Sequence, residues 1–271
     1  MTDYHHIHLI SDSTGDTVTA LAKAALSQFN HLYLIEHHWT LIRRDDQVKK
    51  VLAMIESQPG LILFTLVNPE HQKMVAAFCE KNKIPYQAVL KPIVDKISQT
   101  WNVVPLKEPG QQHLLNDKYF FRIEAVEFAL EHDDGKLIEN YHLADIILLG
   151  VSRSSKTPTA MYLANKGLKV ANFPIVHKNG IPETILNLDT PLLVGLTQDP
   201  DTLIQVRKNR ITGVNPLTKN DYIDIEKVSE EIRDTNKFLH QNKIPVVNVA
   251  KRSVEETAAE VIKLYEFHKL K

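Results

Sequence analysis

The chain has 271 residues, 43% of them apolar and 24% charged, with 32 basic and 33 acidic side chains and a net charge of -1. Such a length and balance suit one large or two smaller buried cores, and they exclude a disordered or collagen-like chain. A neutral balance without a basic stripe also argues against a nucleic-acid binder. In chain order, His6 to Ile10 reads as a buried strand and Asp16 to Phe29 as a helix with Val18, Leu21, Ala22, Ala25 and Leu26 at helical spacing. Leu32 to His37 is a second strand, Asp45 to Ser57 a helix, and Pro59-Gly60 punctuates before a strand from Leu61 to Val67. Asn68-Pro69 predicts an N-cap and a first-turn proline for the next helix, and Gln87 to Leu90 a further strand.

From Pro92 to Asp117 the pattern breaks, with Pro105, Pro109 and Gly110, and reads as a linker. A helix from Lys118 to Glu131 follows, then His132-Asp133-Asp134-Gly135 and a strand from Ala144 to Gly150. The rest reads as a helix to Asn165, strands Lys169 to Phe173 and Leu192 to Leu196, and a helix opened by Asp199-Pro200. A polar helix from about Asp221 to His240, a strand Val246 to Val249 and a helix opened by the capping box Ser253 to Glu256 complete it. Strands separated by helices predict an α/β chain of two units with mostly parallel sheets. The expected division is 1–92 for the N-terminal domain, 93–117 for the linker and 118–271 for the C-terminal domain.

Gly150-Val151-Ser152-Arg153-Ser154-Ser155-Lys156-Thr157 matches the phosphate loop G-x-x-x-x-G-K-[ST] except at its sixth position, where Ser155 replaces glycine. A strand feeds it and a helix leaves it, so successive amides at a helix N-terminus would cradle phosphate oxygens. Lys156 would reach a β-phosphate, Thr157 would hold Mg²⁺, and Arg153 would fork onto phosphate oxygens. Serine reaches positive φ only at a steric cost, so a differently shaped loop is expected.

The same run resembles the signature of the pyruvate, phosphate dikinase and phosphoenolpyruvate synthase regulatory proteins. The similarity extends to Ile10 to Gly15, to Tyr119 to Ala125, to Glu127-Phe128-Ala129, to His132 to Gly135, to Tyr162-Leu163-Ala164 and to Val170-Ala171-Asn172. Ser154 and Ala160 are conservative departures, where threonine and serine are expected. The resemblance implies a bifunctional enzyme. It uses ADP to phosphorylate an active-site threonine of the dikinase or synthase, inactivating it, and transfers that phosphate to inorganic phosphate with release of pyrophosphate. It also implies ADP at Gly150 to Thr157, and a homodimer.

Phosphoryl transfer needs charge neutralisation, for which Lys156 and Arg153 are suited, and a base for the attacking hydroxyl. Asp133 and Asp134, two acids ending a helix against its dipole, read from the residues alone as a solvated turn capped by Gly135, and the resemblance makes them the candidates, for base or metal, with neither preferred. Asp199 is the one further candidate for magnesium. Ser11-Asp12-Ser13-Thr14-Gly15, at the end of the first strand, is a candidate for inorganic phosphate or the target's phosphothreonine, and equally an N-cap cluster. His6, His8, His37 and His38 read as satisfied or surface imidazoles rather than ligands, Cys79 as core, and Arg43 to Asp46 as a solvated turn and helix start. Two other functions fit the motifs: a small-molecule kinase, and a nucleotide sensor that turns nothing over. No apolar run is long enough to cross a bilayer and the opening MTDYHHIHLI lacks a secretory pattern, so the cytosol is expected.

Overall fold

The computed structural model describes residues 4–111, 117–176, 180–209 and 222–270. The chain divides into two compact units, Met1–Leu114 and Leu115–Lys271.

In the first unit, β1 (Tyr4–Ile10), β2 (Tyr33–Trp39), β3 (Leu61–Phe64) and β4 (Tyr86–Ala88) form a parallel sheet of order β2-β1-β3-β4. Helices α1 (Asp16–Leu26), α2 (Asp45–Ser57) and α3 (Pro69–Asn82) are its crossovers. Ile62, Phe64 and Ile10 pack against Val48, Val51, Leu52 and Ile55 of α2 and Val75 and Cys79 of α3, while Ile7, Leu9 and Leu63 pack against Val18 and Ala22 of α1. Both faces of the central strands are thus covered, which is why β3 reads as an unbroken apolar run. Asn68 caps α3 by accepting from the Glu70 N–H at 2.9 Å, with Pro69 in the first turn.

The stretch read as a linker contains a helix, α4 (Lys91–Trp101). Pro92 sits in its first turn, where a missing N–H costs nothing, and Ile93, Val94, Ile97 and Trp101 fall at helical spacing. Leu90, read as strand, instead precedes this helix as its N-cap. Likewise β3 stops at Phe64 rather than Val67, because the chain leaves the sheet there and the Val67 N–H donates to Asp12 Oδ2 at 2.6 Å.

In the second unit, α5 (Asp117–Glu131) precedes two short 3₁₀ turns, Asp133–Gly135 and Ile138–Leu143. Then come β5 (Ile146–Gly150), α6 (Lys156–Ala164), β6 (Val170–Pro174), α7 (Glu183–Leu186), β7 (Leu192–Thr197), α8 (Pro200–Lys208), α9 (Ile225–Gln241), β8 (Val246–Asn248) and α10 (Val254–Lys269). The sheet is again parallel, in the order β6-β5-β7-β8. Every residue of β5 is buried, with Ile146 and Leu148 packed toward α6 and α10 and Ile147 and Leu149 toward α9. The capping box at Ser253 forms as read, with Ser253 and Glu256 exchanging backbone hydrogen bonds. Of the polar helix predicted from about Asp221, residue 221 lies outside the described residues; α9 begins after Asp224, whose carboxylate accepts from the N–H groups of Glu226 and Lys227. The fold class expected from the sequence is therefore the observed one: two α/β units, each built on a four-stranded parallel sheet.

Candidate functional site

β5 is the second strand of its sheet, flanked by β6 and β7, so its carboxyl end lies where the strand order reverses and open α/β sheets bind ligands. Gly150 ends it for a steric reason: a Cβ would stand 2.5 Å from the Leu196 carbonyl oxygen and 2.8 Å from Ser154 Oγ. The residues 151–155 connect to α6. Ser155 stands where the motif has glycine. It adopts the left-handed conformation itself, at φ 63°, and Arg153 does so at φ 74°. Two non-glycine residues in that region cost on the order of 1–3 kcal/mol each, and strain of this kind is held in place by its surroundings.

Lys156, the first residue of α6, is 5% exposed, and its Nζ donates to the carbonyls of Gly150 at 3.0 Å and Val151 at 2.9 Å. Burial lowers its pKa to about 8, a shift that the charges of Asp134 and Asp133 partly oppose. A desolvated ammonium bound only to carbonyl dipoles is a cation with charge to spare for an incoming anion. Beside it, Thr157 Oγ1 donates to Asp133 Oδ1 at 2.9 Å.

The two acids do not end α5 as expected. They form a separate 3₁₀ turn beyond Glu131, with Asp134 itself left-handed at φ 58°. What holds them there is Asn172 of β6: its Nδ2 donates to Asp133 Oδ1, and its Oδ1 accepts from the Asp134 N–H at 3.1 Å. Asn172 is in turn fixed by the buried Tyr141, whose hydroxyl donates to the Asn172 carbonyl at 2.9 Å. In the sequence Asn172 is one residue of the run Val170-Ala171-Asn172 and has no evident role there; an amide in the middle of an apolar strand is the available signal. Asp133 is thus anchored on one oxygen by Thr157 and Asn172. The Asp134 carboxylate is exposed and makes no hydrogen bond to another described side chain.

These groups line one cleft of about 540 Å³, bounded by Asp133, Asp134, Ser152, Arg153, Ser155, Lys156 and Thr157. The hydroxyl of Thr157 and the carboxylate of Asp133 supply hard oxygen donors of the kind Mg²⁺ takes in company with waters and phosphate oxygens. Among the described residues no cluster of three or more His, Cys, Asp or Glu side chains could hold a metal by itself. Asp199 does not line this cleft: its carboxylate caps α8, accepting from the N–H and the hydroxyl of Thr202, and those bonds hold its pKa below the usual value.

In the first unit, Ser11 to Gly15 occupy the matching place after β1, and Ser11, Asp12, Ser13 and Gly15 line a cavity of about 220 Å³ with Thr65 and Glu108. Asp12 is 3% exposed; its burial raises its pKa, against the Val67 N–H that it accepts. Ser11 Oγ accepts from the Ser13 N–H at 3.1 Å, and Gly15 opens α1 at φ 88°. Arg43 is more than part of a solvated turn, because its Nε donates to the Asp12 carbonyl at 2.9 Å. Arg44 and Asp46 are exposed and pair at the surface, in keeping with a solvated helix start. The imidazoles of His6, His8 and His37 stack, with His8 satisfied by the Gln58 carbonyl and the Trp39 indole. Cys79 is buried, and burial pushes its thiol up to about 11, which makes it inert at neutral pH.

No described helix is long and apolar enough to cross a membrane. The chain is 43% identical over 260 residues to a protein of Novosphingobium aromaticivorans, covering 96% of this chain and 93% of that one. It is 44% identical over 261 residues to one of Sphingopyxis alaskensis, covering 96% and 97%. A protein of Paramagnetospirillum magneticum is 44% identical over 263 residues, covering 97% and 85%. All three are provisionally named pyruvate, phosphate dikinase regulatory proteins. The kinase/pyrophosphorylase family model matches residues 7–262, a span that takes in both loops and both sheets, and the chain belongs to that family.

Proposed function

We propose that this protein is a bifunctional regulator that phosphorylates a threonine of pyruvate, phosphate dikinase or phosphoenolpyruvate synthase with ADP and removes that phosphate with inorganic phosphate, releasing pyrophosphate. The membership and the names of the relatives support the kinase and regulatory parts. The observation that carries the chemistry is the buried Lys156 ammonium at a strand-to-helix loop, with Asp133 and Asp134 close enough to act on its charge.

In this reading the amides of Gly150 to Thr157 and the Lys156 ammonium hold the diphosphate, and Arg153, exposed at the rim, neutralises charge on the moving group. Mg²⁺, held by Thr157 with Asp133, would supply further neutralisation of the phosphate oxygens. Asp134, whose carboxylate has no hydrogen-bond partner among the described residues, takes the proton of the target hydroxyl, while Asp133 is committed to Thr157 and Asn172. The first-unit loop, Ser11 to Gly15, is assigned to the target or its phosphate; with Asp12 and Glu108 on that cavity, a hydroxyl-rich target segment suits it better than a free anion.

The test mixes the protein with ADP and either purified target, then locates phosphate by mass spectrometry and identifies the nucleotide product. AMP with one phosphothreonine supports the reading; phosphorylation of a small acceptor without any protein target, or tight ADP binding without turnover, replaces it with the small-molecule kinase or the sensor. Within it, Asp134→Asn is expected to lower kcat by about two to four orders of magnitude, the usual worth of a general base, and to leave ADP affinity unchanged in calorimetry.

A further inference from the structure

An anion loop works only if its carbonyl oxygens are turned away from the ligand, since each would repel a phosphate as strongly as an amide attracts it. In this loop four successive carbonyls accept from side chains. Lys156 takes those of Gly150 and Val151, Arg207 Nη2 takes Ser152 at 3.2 Å, and Gln198 Nε2 takes Arg153 at 3.1 Å. The first two also have backbone donors, Ile175 N–H to Gly150 and Ser154 N–H to Val151, so Lys156 can leave them for a ligand. The described hydrogen bonds give Ser152 and Arg153 no backbone donor, so those two carbonyls depend on Arg207 and Gln198.

Arg207 is an expensive way to fill space. It is 2% exposed, and its guanidinium is paired with Glu231 at 2.9 Å, donates to the Tyr222 carbonyl at 3.2 Å and lies 4.4 Å from the Tyr222 ring centre. An apolar side chain would cover the same position without the desolvation penalty of a buried cation, so the geometry asks for a donor. A peptide unit is planar and trans, so a carbonyl fixed toward Arg207 points the following N–H the opposite way. That N–H belongs to Arg153, a residue of the cleft wall held left-handed at φ 74°.

We propose that Arg207 and Gln198 are positioning residues: Arg207, by holding the Ser152 carbonyl, aims the Arg153 amide at the diphosphate, and Gln198, by holding the Arg153 carbonyl, keeps Arg153 in the strained conformation that this aim requires. This rests on the nucleotide reading of the loop. Neither residue touches the ligand. Their removal weakens binding through the loop, equally for any diphosphate, whatever is attached to it.

The test is calorimetry of ADP and of inorganic pyrophosphate, each with excess Mg²⁺, against the wild type, Arg207→Lys and Gln198→Leu, with thermal melting of each variant. Lysine keeps the charge and loses the fork; leucine keeps the volume and loses the donor. Both variants are expected to weaken ADP and pyrophosphate by the same factor, roughly three- to tenfold, as loss of one hydrogen bond predicts. Unchanged affinity in a variant that melts as a folded protein overturns the proposal. So does weakened ADP with unchanged pyrophosphate, which would assign Arg207 to the nucleoside. Should Arg207→Lys fail to fold, Gln198→Leu decides alone. A folded wild type that binds neither ligand overturns the nucleotide reading and the positioning roles with it.

Discussion

The loops after β1 and β5 have the same frame and opposite charge. Each leaves a strand flanked on both sides by parallel neighbours, runs for five residues (11–15 and 151–155) and enters a helix through a left-handed N-cap, Gly15 at φ 88° and Ser155 at φ 63°. The first helical residue is then Asp16 in one and Lys156 in the other. Asp12 adds a buried acid to the first loop, and Arg207, Gln198 and Lys156 place donors on the carbonyls of the second. A strand-loop-helix with a cavity at its mouth is therefore a general receptacle, and the side chains behind the backbone decide which charge it accepts.

The largest effect that separates the two loops belongs to Lys156. Lys156→Ala is expected to lower kcat/KM in the ADP direction by about a thousandfold, the scale of a lost preorganised charge, whereas Asp16→Ala leaves ADP affinity within about twofold. Steady-state assays and calorimetry on the pair check this; equal losses would mean that the two loops do not differ in the charge they accept. Next come the glycines. Gly150→Ala drives a Cβ into the Leu196 carbonyl and is expected to cost about 3 kcal/mol or more, while Gly15→Ala, meeting Thr40 Cγ2 at 3.0 Å, costs about 1–2 kcal/mol, both read from chemical denaturation.

A smaller effect concerns pH. Because Lys156 titrates near 8, ADP affinity is expected to fall about tenfold per pH unit once the pH passes that value, with proton uptake on binding detected in buffers of different ionisation heat. Stability moves the other way. The unfolded lysine, with its ordinary value of 10.5, holds more protons than the folded one between about 8 and 10.5, so this group makes stability rise with pH in that window. The smallest effect is at the N-caps: Ser155→Gly, which copies Gly15, should relieve left-handed strain and stabilise the fold by about 1 kcal/mol without loss of ADP affinity.

Much of the fold was legible because its signals are local. Asp45–Ser57 follows from the spacing of Val48, Val51, Leu52 and Ile55, and the start of α3 from Asn68-Pro69. α4 was missed because Pro105, Pro109 and Gly110 just beyond it outweighed an apolar spacing that covers only three turns. Of the candidate site, Lys156, Thr157 and the two acids could be named from the motif and the family resemblance. The different surroundings of the two acids could not, since they depend on Asn172, which is 39 residues from Asp133 and reaches it only through the pairing of β6 beside β5. Arg207 and Gln198 carried no motif at all, because a side chain that serves a backbone carbonyl leaves no periodic or spaced trace in the sequence.

By itself the sequence determined two parallel α/β units, the strand-to-helix loop of the candidate site, and the lysine and hydroxyl within it, because hydrophobic periodicity, capping and a strand-loop-helix motif are all written in contiguous residues. Only the tertiary structure decided that Ser155 takes the glycine conformation, that Asp133 is bound while Asp134 is open, and which way the loop's carbonyls turn. Those outcomes come from hydrogen bonds between segments far apart in the chain, and such bonds exist only once the sheet has brought the segments together.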